Sequence, residues 1–325
     1  MESLDGARCL VTGGAGFIGS HLADALVSRG AEVIALDDLS NGRETNLAQS
    51  ADSGRLAFVR GSILDAELLR RVMHGCRFVF HQAALGSVPR SIKEPALYHQ
   101  VNTTGTMQVL EAARAAGVKR VMYAASSSAY GDQPTLPKIE TMRTDPRSPY
   151  AYTKLAGEHM MRSWSLSYGM ECVSLRYFNI FGPRQRPDSQ YAAVIPRWAD
   201  TLRRGEAPTI YGDGGQTRDF THVSNAVHAN LCAATTGARL AGEVVNVGCG
   251  GRYSLLYLLD VMQSSLGTSV TPQHEPARAG DVRDSEASIA AARELIGYEP
   301  LMKFEAGLAE TLRSSADNHH HAVGG

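Results

Sequence analysis

Tyr150 and Lys154 stand four residues apart in SPYAYTKLAGE, so a helix there would carry phenol and ammonium on one face. A phenol with a pKa near ~10 is a poor base at neutral pH. A neighbouring cation favours phenolate and brings it towards a useful range for taking a proton from an alcohol. With twelve tyrosines and five lysines, a pair at this spacing arises by chance about 0.2 times, so the motif needs context. The context is AASSSAYGD just upstream, where Ser126, Ser127 and Ser128 place three hydroxyls at the end of a strand.

Oxidising an alcohol also requires a hydride acceptor. LVTGGAGFIGSH sets Gly13, Gly16 and Gly19 at a strand exit and a helix start. A turn there needs glycine, the backbone must approach a pyrophosphate, and the helix N-terminus supplies N–H donors. The acidic pair Asp37–Asp38 then ends the second strand, near the ~20-residue offset expected for a carboxylate on the adenosine ribose. A carboxylate there repels a 2′-phosphate, so the expected cofactor is NAD and not NADP.

These groups are positioned by alternating elements. Strands are predicted at 7–13, 31–38, 56–62, 76–84, 119–126 and 171–179, with helices at 17–29, 64–74, 100–116 and 150–168. Such alternation implies an α/β fold with a parallel sheet covered on both faces. After residue 180 the texture changes. Residues 181–190 and 205–219 are rich in Pro, Gly and polar residues and read as loops over a site. Helices are expected at 222–235 and 253–265, with a strand at 243–248 returning to the main sheet. The tail DNHHHAVGG (317–325) reads as a disordered end, and its three histidines as part of that end.

Composition excludes other classes. Thirty-two basic residues against thirty-three acidic ones give a net charge of −1, which offers no footprint for nucleic acid or an anionic membrane. No apolar run approaches the ~20 residues of a membrane span, and the acidic N-terminus does not resemble a signal peptide. Five cysteines without a CxxC pair argue against disulfides or a zinc site. The expectation is a cytoplasmic enzyme with no metal.

The set TGGAGFIGSH, LDDLSNG, HQAALGSVPRS, AASSSAYGD, YAYTK, LRYFNIFGPRQ and YGDGGQTRDF resembles the extended short-chain dehydrogenase/reductases, most closely the bacterial UDP-N-acetylglucosamine 4-epimerases, over residues 7–313. The resemblance implies a Rossmann-type doubly wound sheet with a smaller C-terminal α/β substrate domain, tightly held NAD and a homodimer. It divides the chain into an NAD-binding domain (1–179, with 220–250 returning to it) and a nucleotide-sugar domain (180–219 and 251–316). It implies Ser126, Tyr150 and Lys154 as the catalytic trio. For NAD it points to Phe17, Ile18, Asp37, Asp38, Asn41, Gly42, Ser62, Ile63, Gln82, Ala83, Ala84, Asn102 and Phe178, beside the glycines. For a UDP-sugar it points to Ser87, Ser127, Ser128, Asn179, Ala193, Val194, Thr209, Ile210, Tyr211, Arg218, Arg278 and Asp281. Ser285, four beyond Asp281, borders the implied sugar pocket, where relatives confined to plain hexoses often carry tyrosine; serine leaves room for a 2-acetamido group. The chain departs from the family's usual Asp at Ser62, Asn225 and Ser288.

The reaction so implied is C4 epimerisation of UDP-N-acetylhexosamines, with weaker action on UDP-glucose and UDP-galactose. A 4,6-dehydratase shares the oxidation step but typically needs an Asp–Glu pair after the hydroxyl residue, where this chain has Ser127 and Ser128. A UDP-glucuronate epimerase or decarboxylase would need an arginine at the sugar, for which Arg90, Arg184 and Arg186 are candidates. A non-catalytic NAD sensor would have a broken YxxxK, and here the motif is intact.

Overall fold

In a computed structural model of the chain, residues 2–187, 193–276 and 282–322 are described, the side chains of 315–322 excepted. Seven parallel strands form the main sheet: β1 (Arg8–Thr12), β2 (Glu32–Asp37), β3 (Leu56–Arg60), β4 (Phe78–His81), β5 (Arg120–Ser126), β6 (Glu171–Tyr177) and β7 (Ala241–Val247). Their order across the sheet is β7-β6-β5-β4-β1-β2-β3. The chain winds outwards from β1 to β3, crosses back to β4 beside β1, and winds the other way. That reversal opens a crevice at the carboxyl ends of β1 and β4, where doubly wound sheets bind ligands. The fold expectation is met, and the strand expected at 243–248 does return to the sheet, pairing with β6.

Both faces of the sheet are covered. On one lie α1 (Phe17–Val27) and a later helix, Val223–Thr235, which bury Leu22, Leu26, Leu231 and a run of alanines against Val11, Phe80 and Val173. On the other lie α2 (Ala66–Met73), α3 (Gly105–Ala115) and α4 (Pro149–Tyr168), which bury Leu69, Val109, Leu110 and Met161 against Leu10, Val79 and Val121. The central strands are apolar on both sides, as burial on two faces requires.

A second core, built on Trp198, Phe220, Leu258, Met262 and Phe304, unites α5 (Val194–Arg203), a helix at Leu255–Leu266 and the final helix, Phe304–Ala322. The sequence reading missed α5 and the final helix. The latter carries helical backbone through residues 317–322, which had been expected to be disordered. Between these helices run two- and three-residue strands: Ile180–Phe181 pairs with Thr221–His222, and Thr209–Tyr211 with Gln273–Glu275. Among the described residues, no helix is long and apolar enough to cross a membrane, and no cluster of His, Cys, Asp and Glu could hold a metal ion.

Candidate active site

A cavity of about 920 Å³ opens at the switch point, near the upper end of the range for small-molecule and cofactor sites. Its inner end is the glycine turn between β1 and α1. Gly13 has φ +68°, and a Cβ there would lie 2.8 Å from the Ala83 nitrogen. A Cβ on Gly19 would lie 2.0 Å from the Gly13 carbonyl oxygen. Only a bare backbone closes this turn. Among the described residues no side chain caps the first turn of α1, so its N–H groups suit a pyrophosphate.

Asp37, at the end of β2, is largely buried and accepts from the backbone N–H of Ala15 (3.0 Å) and Leu39 (2.8 Å). Burial raises its pKa, against the pull of those donors. Gly42 packs on it so closely that a Cβ would sit 2.9 Å from both carboxylate oxygens. Asp38 accepts from Ser40 N–H at 2.9 Å. The glycines, Phe17, Ile18, Asp37, Asp38, Asn41, Gly42, Ile63, Gln82, Ala83, Ala84 and Phe178 all line the cavity. This donor-rich cradle and its carboxylate fit an adenine dinucleotide.

At the other end lies the tyrosine–lysine pair. Ser148 caps α4 by accepting from Ala151 N–H at 3.2 Å, Pro149 occupies the first turn, and Gly169, left-handed at φ +72°, ends the helix. Tyr150 and Lys154 therefore lie one turn apart on the cavity face. Ser126, the last residue of β5, accepts from the Ser128 hydroxyl (2.8 Å) and backbone N–H (3.2 Å). Its hydroxyl lowers the Tyr150 pKa, while burial, the larger effect, raises it. Lys154 is buried and donates from Nζ to the Ala124 carbonyl at 2.8 Å, with the Tyr123 ring 5.0 Å away. Burial lowers its pKa to about 7, against the attraction of Glu158 one turn on. Glu158 itself forms a buried two-point pair with Arg176 at 2.7 and 2.9 Å. In the chain alone burial therefore lifts the phenol above its ordinary range, and the Ser126 hydroxyl works against that rise.

A smaller pocket of about 260 Å³ adjoins the first; both are lined by Asn179, Ile180 and Arg218. Ala193, Val194, Thr209 and Tyr211 line the smaller one, whereas Ser127, Ser128 and Ser285 line the larger. Ser285 is 8% exposed and donates from its backbone N–H to the Thr217 carbonyl at 3.2 Å.

Four expected contacts are placed elsewhere. Asn102 is buried behind the cavity wall, where it bonds Leu85 through both its amide groups and donates to Thr153. Ser87 caps the short helix Val88–Lys93, and the Ser62 hydroxyl accepts from Leu64 N–H. Ile210 is fully buried in the second core, which faces its neighbours Thr209 and Tyr211 to the pocket. Arg278 and Asp281 lie outside the described residues. Of the three arginines considered for a sugar carboxylate, only Arg90 lines the cavity, paired with Glu94 at 3.0 Å. Arg184 and Arg186 turn instead to α1 and the Asn41 loop.

The sequence reading also missed Asp219. It is fully buried, and its carboxylate accepts from the N–H groups of Cys249, Gly250 and Ala287, tying together the loops behind Arg218 and Ser285. Burial raises its pKa to about 6. Lys138 and Gln185 line the cavity as well, and neither spacing nor composition marks them.

A doubly wound sheet with a tyrosine–lysine pair in its switch-point cavity defines a short-chain dehydrogenase/reductase. Residues 9–248 match the NAD dependent epimerase/dehydratase family. The chain belongs to that family, and its cofactor is NAD. It is 38% identical over 307 residues to a UDP-glucose 4-epimerase of Mycolicibacterium smegmatis, covering 94% of this chain and 97% of the relative. A UDP-N-acetylglucosamine 4-epimerase from Methanobrevibacter ruminantium, solved with UDP-N-acetylmuramic acid, superposes with a TM-score of 0.91 at 36% identity, covering 97% and 99% of the two chains. A Thermus thermophilus UDP-glucose 4-epimerase in complex with NAD gives 0.85 at 34% identity, covering 94% and 98%.

Proposed function

We propose that the protein is a UDP-sugar 4-epimerase that accepts N-acetylhexosamines best. The observation that carries this is the junction of the two pockets. The wall shared at Asn179 and Arg218 would hold a diphosphate between a dinucleotide cavity and a nucleotide pocket, leaving the sugar beside Tyr150 and Ser126. Arg218 suits that role because a forked guanidinium matches phosphate oxygens.

On this reading residues 1–179 and 220–250 hold NAD, and 180–219 with 251–316 hold the nucleotide-sugar. NAD supplies a hydride acceptor at the sugar C4 that returns the hydride to the other face. Tyr150 takes the 4-hydroxyl proton and gives it back, and Ser126 holds both the phenol and the substrate oxygen. The Lys154 ammonium, held by Ala124, favours the charged phenol. Between the two transfers the 4-keto sugar turns about its anchored diphosphate. Ser285 leaves room for a 2-acetamido group, which permits N-acetyl sugars without excluding smaller ones. We expect two copies to pair through α3 and α4, on which Met107, Tyr152 and Leu166 are exposed.

The test is to incubate purified protein with UDP-GlcNAc, UDP-Glc and UDP-glucuronate without added NAD and to resolve the products. Fastest conversion of UDP-GlcNAc to UDP-GalNAc supports the reading, whereas exclusive action on UDP-glucuronate replaces it.

A further inference from the structure

The segment Gly182–Pro187 follows the strand Ile180–Phe181, on the substrate side of the cavity, and crosses to the dinucleotide side. It is fastened there at three points. The Arg184 guanidinium pairs with Asp24 of α1 at 2.8 Å and donates to Gln49 Oε1 at 3.1 Å. The Pro183 carbonyl accepts from His21 Nε2 at 3.0 Å. Arg186 donates to the Asn41 carbonyl at 3.3 Å. These partners lie on α1 and on the 41–50 stretch, the two pieces of chain that flank the glycine turn and Asp37. The 41–50 stretch is itself tied to the turn, since Arg43 N–H and the Asn46 amide both donate to the Ala15 carbonyl.

The Arg184–Asp24 pair is the centre of this fastening. The two side chains are 19% and 9% exposed, so the pair is screened little by solvent. The Ser50 hydroxyl donates to the second Asp24 oxygen, which fixes the carboxylate. Arg184 has φ +65°, a left-handed conformation that disfavours a residue with a side chain. The backbone tolerates it where the guanidinium contacts over-determine it. Gln185, the next residue, lines the cavity.

We propose that Arg184 and Asp24 form a latch that retains NAD by holding the 182–187 segment across the dinucleotide seat. The proposal rests on NAD lying along Gly13–Gly19 with its ribose at Asp37. A reaction that returns its hydride to the substrate has no need to exchange the cofactor, so slow release is compatible with turnover. Arg184 is a positioning residue here: it acts through the segment and not on the reacting atoms.

The experiment measures NAD retained per chain after gel filtration and the rate of its release on dilution, for the full chain and five variants. Arg184→Ala and Asp24→Asn should each release NAD at least tenfold faster, the double variant should be no faster than either single one, and Arg184→Lys should recover part of the loss. Added free NAD should restore turnover to Arg184→Ala, which damage to the catalytic groups would not permit. Should Arg184→Ala fail to fold, Asp24→Asn, which preserves size and shape, carries the same test. Unchanged release from Asp24→Asn overturns the latch. Asp37→Ala separates the two readings: it should release NAD faster whether or not the latch exists, and if it does not, the assigned seat is wrong.

Discussion

Replacing Lys154 by methionine should make the cofactor-free protein more stable near pH 7 while removing its activity. The sign follows from burial. Lys154 is 4% exposed, and its pKa falls from 10.5 to about 7 on folding. The unfolded chain therefore binds the proton more tightly, and this group's contribution to stability rises with pH between about 7 and 10.5 and is lost below. Three to four decades in proton affinity correspond to about 5 kcal/mol at ~1.4 kcal/mol per decade. Against that gain, methionine forfeits the hydrogen bond to Ala124, worth about 1 kcal/mol, and the cation–π contact with Tyr123, worth about 1–2 kcal/mol. The expected net is a stabilisation of about 2–3 kcal/mol near pH 7 that vanishes or reverses by pH 10 or above. Urea unfolding of stripped wild type and Lys154→Met at both pH values checks it. A difference independent of pH, or a variant less stable at pH 7, would refute the assignment of Lys154 as a desolvated ammonium.

Tyr150→Phe should fold and keep NAD but lose about 10²–10⁴ in turnover, read from initial rates; near wild-type turnover would mean the base is misassigned. Asp37→Ala should weaken NAD by about 1.5–3 kcal/mol, roughly ten- to hundredfold in Kd by titration calorimetry. Ser285→Tyr should abolish conversion of N-acetyl sugars while sparing UDP-glucose, and equal loss of both would show that Ser285 is no gate. Glu158→Gln should destabilise the fold by about 3–5 kcal/mol in chemical denaturation, because it leaves Arg176 buried without its partner.

The first 180 residues were legible because local rules act there in concert. Apolar runs are bounded by helix signals such as Ser148–Pro149 and Gly169, and the glycines sit where a Cβ would collide with backbone. Helices and strands of ordinary length emerge from that pattern. The smaller lobe was less legible. Its strands of two or three residues exist only through partners far along the chain, as Thr209–Tyr211 does through Gln273–Glu275. Arg184 illustrates the same limit at the site. Its residue type fits a sugar carboxylate, and only the fold reveals that Asp24 takes its charge. Asn102 and Asp219 brace the cavity from behind, through Leu85 and Asn179 of its lining, and such bracing of loops distant in the chain carries no motif by which a sequence could reveal it.

The central claim is that one hydride leaves C4 and returns to the same carbon. UDP-GlcNAc deuterated at C4 should be incubated with the enzyme in ordinary water, without added cofactor, and the product examined by mass spectrometry and NMR. The account predicts UDP-GalNAc that retains deuterium at C4, with no net reduction of NAD. Loss of the label to solvent, or a product reduced or dehydrated at another carbon, would contradict it.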